Sequence, residues 1–385
     1  MPRSVLIFAP SPLGGFAEHT HYQAQELARR GVAVTVLCTP GFVKPAERCA
    51  YRQARRLLAV SGRSLFARIG RKLADVLNYW ILAWVVQRER PDLVLMEANT
   101  EFAALWWAWP HLLLARSGVT YLANFHDPVR GAILGMRWYG QLLRRLAYGI
   151  LRGGLIHGPP PPEAWLPRWL TMVEAPLGVF TDLAARTAPF DARARLGIPA
   201  DAYLLLAFGH VADRKNLDLL IAALPDLAGV ALLVAGTTTS PRHRPVAAYR
   251  ELAERAGVSD QVRFVDAVIP EADIAAYFLA ADAIALTYNA GFVSQSGVLQ
   301  IAALWDRPIL ASGGDGPLRE AIERHRLGVF VAPDDVGAIV AGVETLRRRE
   351  VHAAGFAAYR AAASWRINVD RLLELFARVR SERRR

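Results

Sequence analysis

Only two cysteines, Cys38 and Cys49, occur in the 385 residues. Two thiols provide neither a disulfide framework nor zinc-finger spacing, so a reducing, cytoplasmic setting is expected. Long apolar runs are also missing. Tyr79–Val86 and Phe102–Ala115 fall short of the roughly 20 residues a spanning helix requires, and the second run contains Pro110 and His111. The opening run from Val5 to Pro10 is too short for a secretory signal. The chain has no Asp-x-Asp pair, no aromatic-basic RNA-binding signature and no basic region followed by heptads. These absences argue against nucleic acid as a partner and against a donor site built around a metal.

What is present is apolar and basic. Hydrophobic residues make up 53% and charged residues 21%, which suits a globular chain, and the length suits two domains. The net charge of +11 comes almost entirely from arginine. Such a surface favours anionic partners, phosphorylated substrates and anionic lipid among them.

Patterning runs as strand, glycine loop, helix, strand. Ser4–Ala9 leads into Gly14-Gly15, then a helical stretch from Glu18 to Arg30, then Val32–Cys38. This opening of a βαβ unit predicts a parallel, doubly wound sheet, continued at Leu93–Met96 and Thr120–Asn124. Between Arg52 and Trp84 the spacing predicts a helix with an apolar stripe of Leu65, Ile69, Leu73, Val76, Trp80 and Trp84. Arg63, Arg68, Arg71 and Lys72 lie largely off that stripe. Two readings stand: a helix covering the sheet, or a basic amphipathic helix lying on an anionic membrane. After the prolines at 159–162 the alternation restarts near Gly178 and runs from Tyr203–Phe208 to a short strand near Val329–Val331. The last helix is expected near Trp365–Arg380.

Four stretches sit where such sheets bind ligands, after strand carboxyl ends. Gly14-Gly15 allows close backbone approach and opens a helix whose N-terminus favours an anion, though ordinary turn chemistry explains it equally. Phe125-His126-Asp127-Pro128 offers an imidazole and a carboxylate for hydroxyl binding or proton movement, or a capped turn. Gly209-His210, with Arg214 and Lys215, sets two positive charges beside a helix start, as diphosphate neutralisation requires. Ser296-Gly297-Val298 starts another helix and offers free N–H groups to a second phosphate, with N-capping by Ser296 compatible.

Taken in order, these segments resemble the family 4 glycosyltransferases of the GT-B fold. The resemblance is carried by "PLGGFAEHTHYQAQELARRGVAVTVL", "PLGVFTDL", "LLAFGHVADRKNLDLLIAAL", "VRFVDAVIPEADIAAYFLAADAIALTY" and "SGVLQIAALWDRPILAS". It implies two Rossmann-like doubly wound α/β domains facing a cleft. The boundaries are 1–178 for the acceptor side, 179–362 for the nucleotide sugar, and 363–385 for a helix returning to the first domain. It implies a nucleoside diphosphate sugar as co-substrate, with no cofactor. The diphosphate meets Lys215, Arg214, Gly209, His210 and the helix start at Ser296, Gly297 and Val298. The base packs near Phe264–Val268, with Val265 and Val268 lining it, and Gly14 and Gly15 join the donor site. His126, with Asp127, stands at the transferred sugar. The implied reaction is metal-independent and retaining; the basic, tryptophan-rich first domain points to a glycan or lipid-linked acceptor and to peripheral membrane contact.

Two departures from the family pattern matter. His210 replaces a frequent arginine, and no glutamate lies between Tyr288 and Arg319, where the family commonly has two. Gln300 is the nearest stand-in for the second, which holds the donor ribose; its amide can bond hydroxyls but carries no charge. The alternative is a non-catalytic nucleotide-sugar or polysaccharide-binding paralogue.

Overall fold

The computed structural model describes residues 1–12, 14–42, 44, 49–62, 64–97, 99–126, 137–158, 166–183, 188–348 and 352–384. Asp127, Arg63 and the prolines at 159–162 lie outside them. The chain forms two compact units, 1–178 with 364–385, and 179–363.

The first unit carries a seven-stranded sheet of β1 (Ser4–Ala9), β2 (Ala33–Cys38), β3 (Arg52–Arg55), β4 (Leu93–Met96), β5 (Thr120–Phe125), β6 (Gly153–Ile156) and β7 (Thr171–Glu174). Its order is β3-β2-β1-β4-β5-β6-β7 with every pair parallel. Because strand side chains alternate, both faces must be apolar in a sheet that helices cover on both sides. Leu6 and Phe8 accordingly enter one core, with Tyr79, Leu82, Trp107 and Tyr121. Val5, Ile7 and Ala9 enter the other, with Leu27, Leu95 and Leu122. Helix α1 (Gly15–Arg29) follows β1; α2 (Leu65–Glu89), α3 (Ala104–Arg116) and α4 (Arg137–Gly149) follow in turn, α2 packing on α3 and α3 on α4.

The stretch from Arg52 corrects one expectation. Arg52–Arg55 is an edge strand in register with Thr35–Cys38, not the start of a helix. The helix begins after Gly62, at φ +113°, where the Ser64 side chain accepts from the Ala67 amide at 3.1 Å.

The second unit holds β8 (Tyr203–Phe208), β9 (Val230–Ala235), β10 (Val262–Val265), β11 (Ala283–Thr287), β12 (Ile309–Ser312) and β13 (Gly328–Phe330). They order as β10-β9-β8-β11-β12-β13, again all parallel. Helices α5 (Ala192–Leu196), α6 (Leu217–Ala223), α7 (Val246–Arg255), α8 (Ile274–Ala280), α9 (Gly297–Ala302), α10 (Pro317–His325), α11 (Val336–Arg347) and α12 (Ala353–Ala362) complete the unit. Helix α13 (Trp365–Arg384) belongs to the first unit, where it packs on α1 and on β5–β7. Each sheet reverses direction beside its first strand, between β1 and β4 and between β8 and β11. Ligands of such sheets bind in the crevice beyond that point.

Candidate functional site

In the first unit the crevice residues converge on one carboxylate. Glu97 follows β4 directly, and its amide donates to Phe8 O at 3.1 Å. Its Oε1 lies 2.7 Å from His126 Nε2, at the end of β5. The same oxygen lies 2.9 Å from His19 Nδ1 on α1, out of line for a hydrogen bond. Oε2 accepts from Asn124 Nδ2 at 2.7 Å. Asn124 in turn bonds Gln23 Oε1, Gln23 Nε2 donates to Asn368 Oδ1, and Asn368 donates to Pro176 O. His157, after β6, faces His126 Nδ1 with its Nε2 at 3.2 Å and bonds Ala175 O through Nδ1 at 3.0 Å.

Burial and charge set the protonation of this cluster. Burial alone raises the Glu97 carboxyl, yet His19 and His126 beside it lower it further, so it stays ionised well below the usual range. Burial lowers His19 and His157. Phe16 and Trp365 close the cluster with edge contacts, Phe16 onto His126 at 4.9 Å and Trp365 onto His19 at 5.0 Å between ring centres. Gly14, at φ +75°, caps α1 one turn before His19. Gly14, Gly15 and His126 thus fall in the first unit, where Phe16 beside the glycines touches His126, and the other sequence-derived donor residues fall in the second.

Sequence reasoning missed Glu97, His19 and His157. A charged residue ending the buried strand Leu93–Met96 was a legible signal for Glu97. His19 and His157 become visible only when the sheet order sets α1 and β6 beside β5. Among the described residues Glu97 is the carboxylate that touches His126; Asp127 lies outside them.

In the second unit the carboxyl edge of the sheet is equally tight. Gly209, at φ +85°, donates to Ala235 O, and Gly236 donates to Val265 O. A Cβ on Gly236 would overlap Gly209 O, so only glycine permits this approach. A Cβ on Gly209 would stand 3.7 Å from both Lys215 Nζ and Val298 Cγ2. Gly209, Lys215 and Val298 therefore meet at one point across the β8–β11 crevice. Lys215 Nζ donates to Phe208 O at 2.7 Å. Burial, then Arg214, brings its ammonium down to about 7. Burial, then Lys215 and Arg214, also lowers His210. The Arg214 side chain is exposed, and its backbone O accepts from the Asn289 amide at 2.9 Å.

Ser296 stands at the N-cap of α9 without capping it. Its hydroxyl lies 2.9 Å from Tyr288 Oη, so it bonds a side chain and not the helix amides. Val265 ends β10 half-buried and Val268 is exposed on the loop beyond. Glycines at 314 and 316 let the loop after β12 lie against Ala290 and Val293. Gln300 is a correction. It is fully buried, and its Nε2 donates to Tyr359 Oη at 2.8 Å on α12. In this structure it is a core amide, turned toward α12 and not toward the crevice.

Residues 13–153 match the family model described as Glycosyltransferase Family 4, and residues 202–349 match the one described as Glycosyl transferases group 1. The chain belongs to the family 4 glycosyltransferases. It is 34% identical over 199 residues to the D-inositol 3-phosphate glycosyltransferase of Thermomonospora curvata, covering 48% of this chain and 45% of that protein. The Mycolicibacterium smegmatis enzyme of the same name is 29% identical over 211 residues, 54% of this chain and 47% of its own length. The chain thus spans about half the length of the curated relatives it matches. Over full length, this glycosyltransferase-family chain resembles two solved structures. Sucrose-phosphate synthase from Thermosynechococcus elongatus superposes with a TM-score of 0.71 at 18% identity, covering 99% of this chain and 100% of that one. Anabaena HepE in complex with UDP and glucose gives 0.69 at 16%, with the same coverage. At these identities the likeness shows the GT-B fold.

Proposed function

We propose that the chain transfers a sugar from a nucleoside diphosphate sugar to a hydroxyl acceptor. The observation that carries this reading is the meeting of Gly209, Lys215 and Val298 at the β8–β11 crevice. An open backbone, a half-buried ammonium and a helix start offering N–H groups suit a diphosphate leaving group. The solved structure of Anabaena HepE with UDP-glucose supports a nucleotide sugar as the donor. Arg214 and Lys215 supply the positive charge, so the leaving diphosphate needs no metal in this reading. The base packs against Val265 and Val268.

In this reading the first unit supplies His126 to the sugar and acceptor, with Glu97 holding the ring through Nε2. Transfer with retention fits the family, the leaving phosphate assisting the incoming hydroxyl while His126 positions it. A lipid-linked saccharide is the proposed acceptor class, for a reason found on α2. Its face of Leu65, Phe66, Ile69, Leu73, Trp80 and Trp84 is exposed, whereas Tyr79, Leu82, Val85 and Val86 cover the sheet. Trp106, Trp109 and Trp138 on α3 and α4 are exposed as well. Among the described residues no helix is long and apolar enough to cross a membrane. A surface of tryptophans with arginines nearby suits peripheral contact with anionic lipid on the cytoplasmic side.

A screen of donor hydrolysis and transfer with UDP-, GDP-, dTDP- and ADP-sugars tests the activity. Turnover of one donor that is lost in Lys215→Ala supports it. Donor binding without turnover in the presence of any hydroxyl acceptor would favour the binding-only paralogue, a reading motivated by the missing glutamates.

A further inference from the structure

Three histidines of the first unit, His19, His126 and His157, each have one nitrogen turned toward an outer group. His157 Nδ1 faces the Ala175 carbonyl, which only accepts, so Nδ1 carries the proton and Nε2 keeps its lone pair. His126 Nε2 faces the ionised Glu97 carboxylate, so Nε2 carries a proton, and in the neutral ring Nδ1 keeps its lone pair. These two lone pairs meet at 3.2 Å. With both rings neutral they repel, and something positive must lie between or beside them. His19 Nδ1 is next to Glu97, and Nε2 is buried without a hydrogen-bond partner among the described residues.

For His126 and His157 this is the arrangement of metal-ligating histidines, whose second N–H is held by a carboxylate or a backbone carbonyl. Two imidazole nitrogens bound to a tetrahedral zinc at about 2.0–2.1 Å lie about 3.4 Å apart, close to the spacing of His126 and His157. One nitrogen from each of the three rings lies within 4.8 Å of the other two, so His19 needs to close by at most about 1.5 Å.

We propose that His19, His126 and His157 form a binding site for a divalent transition ion of the zinc class, with Glu97 and the Ala175 carbonyl orienting the rings. Three imidazoles leave a fourth position open on the side of His126, which is partly exposed beside Phe16. An oxygen ligand enters there. The site lies within the first unit, whereas Arg214 and Lys215 belong to the second; it shares His126 with the proposed transfer site, so its test reads ion binding and not turnover.

The test is titration of chelator-treated full-length protein with Co²⁺, read by visible d–d absorption. The site predicts one equivalent bound at micromolar affinity or tighter, with intense tetrahedral bands that Zn²⁺ bleaches. His157→Ala removes the bands, whereas replacement of the exposed His352 by alanine keeps them. Absence of such bands in the wild type, or their survival in a folded His157→Ala, overturns the site. If His157→Ala does not fold, X-ray absorption of the zinc-loaded wild type decides. Three imidazole nitrogens at about 2.0 Å support the site, and one or none overturns it. A wild type that binds no ion instead holds a shared proton between His126 and His157, and the proposal fails.

Discussion

Glu97 Oε1 lies 2.7 Å from His126 Nε2 and ties the carboxyl end of β4 to that of β5. The contact puts a proton on Nε2 and turns Nδ1 toward His157. Glu97→Gln preserves shape but removes the charge, so turnover should fall at least about tenfold with donor affinity kept. The pH–rate profile should move with it, which a loss of packing alone would not produce. An unchanged profile and rate would separate Glu97 from catalysis.

Asp127 and His126 make different demands. Under retention, Asp127→Asn should cost little turnover while His126→Ala costs much. Under inversion, Asp127→Asn should remove the base and several orders of magnitude of rate. Unchanged turnover in both variants would remove the first unit from the chemistry.

Lys215 should make donor binding depend on pH. Burial, then Arg214, brings its ammonium down to about 7, and a bound diphosphate favours the charged form, raising that value. Binding near pH 7.5 should therefore take up a proton, and affinity should fall as pH rises beyond it. Calorimetry in buffers of different ionisation enthalpy measures the uptake. Lys215→Ala should abolish it and weaken binding by about 1–3 kcal/mol. Absence of proton uptake in the wild type would contradict this role.

Much of the fold was legible because buried parallel strands are short apolar runs ending in turn residues, as Ser4–Ala9 and Tyr203–Phe208 are. The apolar stripe on α2 was legible too, but its direction was not. Leu73 and Trp80 look like core positions at helical spacing, and only packing shows that Tyr79, Leu82 and Val86 take the sheet instead. At the site, Lys215 and Gly209 were readable from their place after a strand. Gln300 was misread, since sequence cannot show which side of a short helix faces Tyr359. His19 and His157 are 138 positions apart, and no local pattern links them.

The outward stripe predicts membrane affinity. Binding to anionic vesicles should exceed binding to neutral ones, fall with salt, and weaken in a Trp80→Ser, Trp84→Ser double variant. Equal, poor co-sedimentation with both vesicle types at low salt would contradict the docking surface.

Buried histidines predict acid sensitivity. His111 bonds Tyr79 O through Nε2 and Tyr121 Oη through Nδ1, and burial brings its value down to about 4. Its folded value lies below the unfolded one, so its stabilisation is complete above about 6.5 and declines as pH falls toward 4. Between pH 7.5 and 5 this residue alone should cost about 2 kcal/mol, with His19 and His157 adding in the same direction. Urea denaturation at the two pH values measures it, and equal stabilities would contradict the buried neutral rings.

The most direct measurement is a thermal-shift screen of wild type and Lys215→Ala against UDP-, GDP-, dTDP- and ADP-sugars. At a hundredfold excess over Kd, a ligand stabilises the fold by about 2.7 kcal/mol. The account predicts a clear rise in Tm for the wild type with one nucleotide class, and little or none for the variant. No shift with any donor, or an equal shift in both proteins, would contradict it.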